Sequence, residues 1–196
     1  MVYLTIEKDN STVIEHFNFN VQETMLLKSL EAFFIKTDNF SILETIINGT
    51  NLISRRTIEY FVTKYSNINN VTYYLNNNNK KIKFNVYSSY KDKLKCHKKK
   101  YFDPFGRGDR IPFFSNSNCI ITTIGQLNFY RWFIVNDIYK YCLDYHDIIQ
   151  KSLLINFNKN KKKISKKVNS TSYFKNTLVI ENQYNEPINL SVSFDI

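Results

Sequence analysis

The sequence predicts an α+β fold: one domain of about five helices with small antiparallel β-hairpins. Three observations predict it. Short runs that alternate apolar and polar residues come in pairs around turn formers, as antiparallel hairpins require. Between them lie longer runs whose apolar residues recur at three- and four-residue spacing. The length, 196 residues with 43% hydrophobic, 14 Tyr and 16 Phe, suits a single core.

In chain order, residues 2–7 and 12–19 alternate around Lys8–Ser11 and predict a first hairpin. Residues 22–36 predict a helix with Met25, Leu26, Leu30, Phe33 and Phe34 inward. Residues 41–48 predict a short helix stopped by Gly49. Ser54 is placed to cap a helix over 55–66 with Ile58, Phe61, Val62 and Tyr65 inside. A second hairpin is expected from 71–75 and 82–87, then a basic helix within 88–100. Residues 101–118 hold so many turn formers that irregular structure is expected. Thr123 and Gln126 match a capping box that opens a helix carrying Leu127, Tyr130, Trp132, Ile134 and Val135. One further helix is expected at 137–154, with Cys142 on its apolar stripe. The predicted organisation is a core domain at 1–158, a Lys-rich linker at 159–171 and a C-terminal hairpin at 172–196.

Charge is the most uneven property of the chain. Residues 91–110 hold eight Lys/Arg against three Asp, and residues 159–167 hold six Lys and no acid. The remainder holds 13 basic and 14 acidic residues, so the formal net charge of +10 resides in these two stretches. A neutral body with concentrated cationic segments points to an anionic partner. The composition favours residues with AT-rich codons: there is one Ala, four Gly, three Pro and five Arg. Against that bias, residues 104–132 keep three of the Gly, two of the Pro, three of the Arg and the only Trp. That concentration marks the stretch as constrained.

Within it, YFDPFGRGDR combines forked guanidinium donors at Arg107 and Arg110 with aromatic rings at Tyr101 and Phe105. Lys95, Lys98, Lys99 and Lys100 precede it as phosphate-seeking point charges. Interleaved cations and rings suit nucleic acid, and the loop is expected to face a groove near the helix that opens at Thr123. The competing reading pairs Asp103 and Asp109 with Arg107 and Arg110 and plugs the Phe rings into the core. The expected function is non-enzymatic binding of nucleic acid, DNA or RNA. The alternative is a structural or interaction protein that grips an acidic protein partner.

Other chemistry is poorly served. Cys96, His97, Cys119, Cys142 and His146 contain no CxxC, and no metal or other cofactor is expected. No phosphate-binding Gly-rich loop occurs. The three widely spaced Cys suit reduced thiols. No apolar run approaches the length of a membrane span and the N-terminus lacks the apolar region of a signal peptide, so an intracellular site without a membrane partner is expected.

Four phrases, TIEYFVTKYSNINNVTYYL, FNVYSSYKDKLK, KKYFDPFGRGDRIPF and TTIGQLNFYRWFIVNDIYKY, resemble in order and spacing a family of uncharacterised proteins from nucleocytoplasmic large DNA viruses of the giant-virus kind. The specific matches are Phe102–Phe105 and Gly125–Phe129. The chain departs from the family pattern at Gly106, where Cys is expected, and at Phe133, where Ala is expected. The resemblance covers residues 55–150 and implies a viral source, with residence in the host cytoplasm (the viral factory) or the virion. It implies no activity.

Overall fold

The computed structural model describes residues 10–35, 38–77, 80–115 and 118–170. The α+β class holds, with more helices than the sequence predicts and two two-stranded antiparallel sheets among the described residues. The chain divides into two compact units, Met1–Asn156 and Phe157–Ile196. Every residue of the candidate site lies in the first.

The chain enters as helix α1 (Asn10–His16), where a strand was expected. Val13, Ile14 and Phe17 fit the helical period as well as the strand period, and the helix buries Val13. Asn10 then decides the geometry: its side chain donates to the Phe114 carbonyl and accepts from the Phe114 N–H, both at 2.8 Å. The partner strand of that expected hairpin, 2–7, lies outside the described residues, as does the expected hairpin at 172–196.

Helix α2 (Val21–Ile35) opens with a reciprocal box: Glu23 N–H donates to Asn20 Oδ1, and Asn20 N–H to Glu23 Oε2. Its buried face is Leu27, Leu30 and Phe34, while Met25, expected inside, is exposed. Helix α3 (Asn39–Asn48) ends at Gly49, whose φ of 78° is the left-handed stop the sequence predicts. Ser54 caps helix α4 (Arg55–Tyr60) by accepting from Thr57 N–H. A π-helical turn (Phe61–Tyr65) and a short α5 (Ser66–Ile68) continue it, with Ile58, Phe61 and Val62 buried.

Strands β1 (Thr72–Asn77) and β2 (Lys80–Asn85) form the expected hairpin. Helix α6 (Val86–His97) follows, capped by Asn85. A single 3-10 turn at Lys99–Tyr101 leads into the basic loop. The segment 101–118 is not wholly irregular: strand β3 (Ile111–Ser115) pairs with β4 (Asn118–Thr122). Ile111 and Phe113 alternate inward, and Phe113 wedges between Phe34 and Phe40 at ring distances of 6.0 and 6.3 Å. Distant rings therefore hold a strand that Pro112 disguised locally.

Helix α7 (Ile124–Val135) is the centre of the unit. Almost every residue from Ile124 to Phe133 is buried, so the narrow stripe expected there is too small, and Val135 faces water. The expected helix at 137–154 is two: α8 (Ile138–Asp144) and α9 (His146–Ser170), separated at Tyr145. Cys142 and Ile149 are buried as read, and burial pushes the Cys142 thiol up. The Lys-rich run 159–167, expected as a linker, is helical within α9.

Candidate functional site

The basic loop is held by α7. Phe102 is 2% exposed, with ring centroids 5.2 Å from Phe129, 5.4 Å from Trp132 and 6.1 Å from both Tyr90 and His97. Around this plug, polar side chains of α7 grip the loop backbone. Gln126 Nε2 and the Tyr130 hydroxyl both donate to the Pro104 carbonyl at 3.1 Å. Asn128 Nδ2 donates to the Tyr101 carbonyl at 2.9 Å, and Asp103 N–H donates to the Gly125 carbonyl. Arg131 donates to Asn128 Oδ1 and to Ser29, which orients that amide. The phrases Phe102–Phe105 and Gly125–Phe129 are thus two halves of one joint.

The expected capping box at Thr123 forms by half. Thr123 Oγ1 accepts from Gln126 N–H, but the Gln126 side chain turns away to Pro104 and to the Thr122 hydroxyl. That choice also involves Gly106, which has a φ of 66°. A Cβ at Gly106 would lie 2.5 Å from Gln126 Oε1. The Cys expected at this position would therefore displace the amide.

The eight expected binding residues divide sharply. Arg107 pairs with Asp103 at 3.4 Å, its own N–H donates to the same carboxylate, and its guanidinium lies 5.6 Å above the half-buried Phe105 ring. Arg110 is exposed and makes no ion pair with a described carboxylate, Asp109 included. So the internal pairing holds for one arginine and not for the other. Lys100 reaches Glu23 Oε1 at 3.0 Å, and the Tyr101 hydroxyl donates to the same oxygen at 2.7 Å. Tyr101 is thereby committed edge-on to Glu23, with Lys100 Nζ 5.1 Å from its ring centroid. Lys95, Lys98 and Lys99 are exposed and carry no ion pair with a described residue.

Lys98 also occupies a backbone conformation, φ 58° and ψ 171°, that favours glycine. His97 stacks on Phe102, and burial together with the Lys93 charge lowers its pKa, so the neutral ring is favoured there.

Three depressions adjoin this segment. The first, about 170 Å³, is walled by Phe17, Phe19, Glu23, Tyr101, Gly108 and Thr123. The second, about 380 Å³, shares Glu23 and Tyr101 with it and adds Leu26, Cys96, His97 and Lys98. The third, about 410 Å³, shares Cys96 with the second and lies between β2 and α6. The first lies at the α7 N-terminus, where a groove was expected, and its wall holds the carboxylates of Glu23 and Asp109 beside Lys100.

Glu23 was not singled out in the sequence, although Asn20-x-x-Glu23 is a capping-box signal that marks it. The Tyr101 hydrogen bond, helped by Asn20 N–H and Lys100 against the cost of burial, holds the Glu23 carboxyl below the ordinary carboxylate value. A pKa lowered by folding means stability that is present above the ordinary value and lost as pH falls through the lowered one. Glu23→Gln is therefore expected to melt below wild type at about pH 7, with the gap closing as pH falls below the ordinary carboxylate value and through the lowered one. A gap that stays constant across thermal melts over that range contradicts this.

Among the described residues no three His, Cys, Asp or Glu side chains converge as a metal site would require. Cys96 and Cys119 are exposed and Cys142 is in the core. Among the described residues no helix is long and apolar enough to cross a membrane.

Comparison with known proteins gives a family but no activity. A model described as a family of unknown function (DUF7197) matches residues 5–195. The chain is 34% identical over 171 residues, 82% of its length, to the uncharacterized protein L507 of Acanthamoeba polyphaga mimivirus. It spans 66% of the length of that relative. No solved structure matches.

Proposed function

We propose, for a chain that belongs to this family of unknown function with a giant-virus member, a non-enzymatic protein that binds nucleic acid through residues 95–110. One observation carries the reading. Of the eight basic side chains in 91–110, six are exposed and make no ion pair with a described residue: Lys91, Lys93, Lys95, Lys98, Lys99 and Arg110. Two of them line depressions: Lys93 the one between β2 and α6, and Lys98 the one beside Glu23 and Tyr101. Six unneutralised cations within twenty residues suit a polyanion better than a small ligand. Lys98 supports the reading further, because a lysine held where glycine is favoured points to a use for its side chain. Tyr101 and Phe105 act here chiefly as supports for Lys100 and Arg107. Work in the viral factory or the virion, on DNA or RNA, is part of the same proposal.

The test is a salt series. The triple variant Lys95→Gln, Lys98→Gln, Lys99→Gln is expected to melt like wild type and to bind a labelled oligonucleotide more weakly. The slope of log affinity against log salt should become shallower by about 2 for a single strand. An unchanged slope removes the site. A wild type that ignores nucleic acid at physiological salt, yet binds an acidic protein, places the cations on that partner instead.

A further inference from the structure

We infer that the groove between β2 and α6 is a second contact site for nucleic acid, and that it takes a single strand. The inference rests on the reading of this family member as a nucleic-acid binder; it uses none of the eight binding residues expected from the sequence and shares only Lys93 with the six unneutralised cations. The hairpin has two chemically distinct faces. In its register Tyr73 opposes Phe84, and Tyr74 opposes Lys83. Directly opposed residues share a face, and neighbours along a strand alternate. The inner face is committed: the Tyr73 and Phe84 rings lie 5.4 Å apart, and the Tyr73 hydroxyl donates to the Asn136 carbonyl at 2.6 Å. The outer face carries Tyr74, Lys83 and, two residues along, Lys81 opposite Asn76.

Tyr74 is 65% exposed, and its ring stacks on no described aromatic residue. Lys81 and Lys83 are exposed and pair with no described acid. From this face the surface descends into the groove of about 410 Å³, where Lys83 meets Lys93, Ser88 and Ser89 from α6. Asp92 is the one carboxylate in the wall, set against two ammonium groups. Asn85 is spent internally, capping α6 and donating to Asn70 and Thr72. The available chemistry is therefore cationic and hydroxylic, beside an unoccupied aromatic face.

That combination selects a single strand. Lysines meet phosphates on any nucleic acid, but an exposed ring stacks only on a base whose own face is free. Cys96 walls both this groove and the depression beside Lys98, so the strand can pass from the hairpin to the basic loop without crossing the core.

The probe is a fluorescein-labelled oligothymidylate of about sixteen nucleotides, with a duplex of equal length beside it. Lys83→Gln with Lys93→Gln is expected to weaken binding about tenfold and to reduce the salt slope by about 1.4. Tyr74→Ala should weaken single-strand binding about tenfold and leave duplex binding unchanged, while Tyr74→Phe binds as wild type. Trp132, the only tryptophan, donates Nε1–H to Ser89 in the groove wall, so occupancy should alter its emission. Wild-type affinity and slope in the groove variants, with loss only in the Lys95/Lys98/Lys99 variant, overturn the groove and leave the loop. Loss in the groove variants alone does the reverse. Equal loss on duplex in Tyr74→Ala overturns the single-strand assignment, and a wild type that binds neither probe overturns both sites.

Discussion

Phe102→Ala is expected to lower the unfolding free energy by about 3–5 kcal/mol, the largest loss from any single truncation in the loop. The residue sits in a motif that looks like a surface segment, with Lys98, Lys99 and Lys100 before it and Arg107 and Arg110 after it. Yet its ring lies among four others and is almost wholly buried. Removing it leaves a cavity between α6 and α7 that rigid aromatic neighbours fill poorly. For a chain of this size the melting temperature should fall by about 6–20 °C. Trp132 packs edge-on against Phe102, so its emission should shift in the native state before unfolding. Phe105→Ala is the internal contrast: that ring is half-buried beneath an exposed guanidinium, and its loss should cost about 1 kcal/mol. Equal melting temperatures for the two variants would mean that the loop is not anchored through Phe102. Should Phe102→Ala fail to fold, Phe102→Leu retains enough volume to make the comparison.

The difference between Phe102 and Phe105 also shows where sequence reading stops. The α+β class, the Gly49 stop, the Ser54 and Thr123 caps and the β1–β2 hairpin rest on chemistry within a few residues of each element, and local chemistry is legible. What went unread depends on partners far along the chain. Strand β3 forms because Phe113 meets Phe34 and Phe40, and α1 is positioned by Asn10 bonding Phe114, 104 residues away. The site divides in the same way. That Asp103 sits four residues before Arg107 is visible, and their pairing was one of two readings open from the sequence. That Lys100 and Tyr101 converge on Glu23, 77 and 78 residues away, is not. The charge run told which residues are cationic, and only the fold tells which cations are already neutralised.

Gly125→Ala provides the second large effect, and its sign is the informative part. In the first turn of an ordinary helix, replacing Gly by Ala stabilises by up to about 1 kcal/mol. Here a Cβ would stand 2.7 Å from the Lys100 carbonyl oxygen and 3.4 Å from the Phe102 N–H nitrogen, both backbone atoms. Neither can swing aside as a side-chain end can, so the loop must lift from α7. Lifting strains the Asp103 N–H bond to the Gly125 carbonyl and its neighbours from Asn128 and Gln126. Overpacking of this kind costs about 1–3 kcal/mol, which outweighs the helical gain. The expected outcome is a variant less stable than wild type by about 1–2 kcal/mol in denaturant unfolding. Gly49→Ala, strained by its φ of 78° but facing open space, separates backbone strain from overpacking. Because Lys98, Lys99 and Arg110 ride on the lifted segment, Gly125→Ala should also weaken oligonucleotide binding while every cation is retained. A stabilised Gly125→Ala protein would show that the loop does not lie against α7, and with it would go the scaffold on which the cationic loop depends.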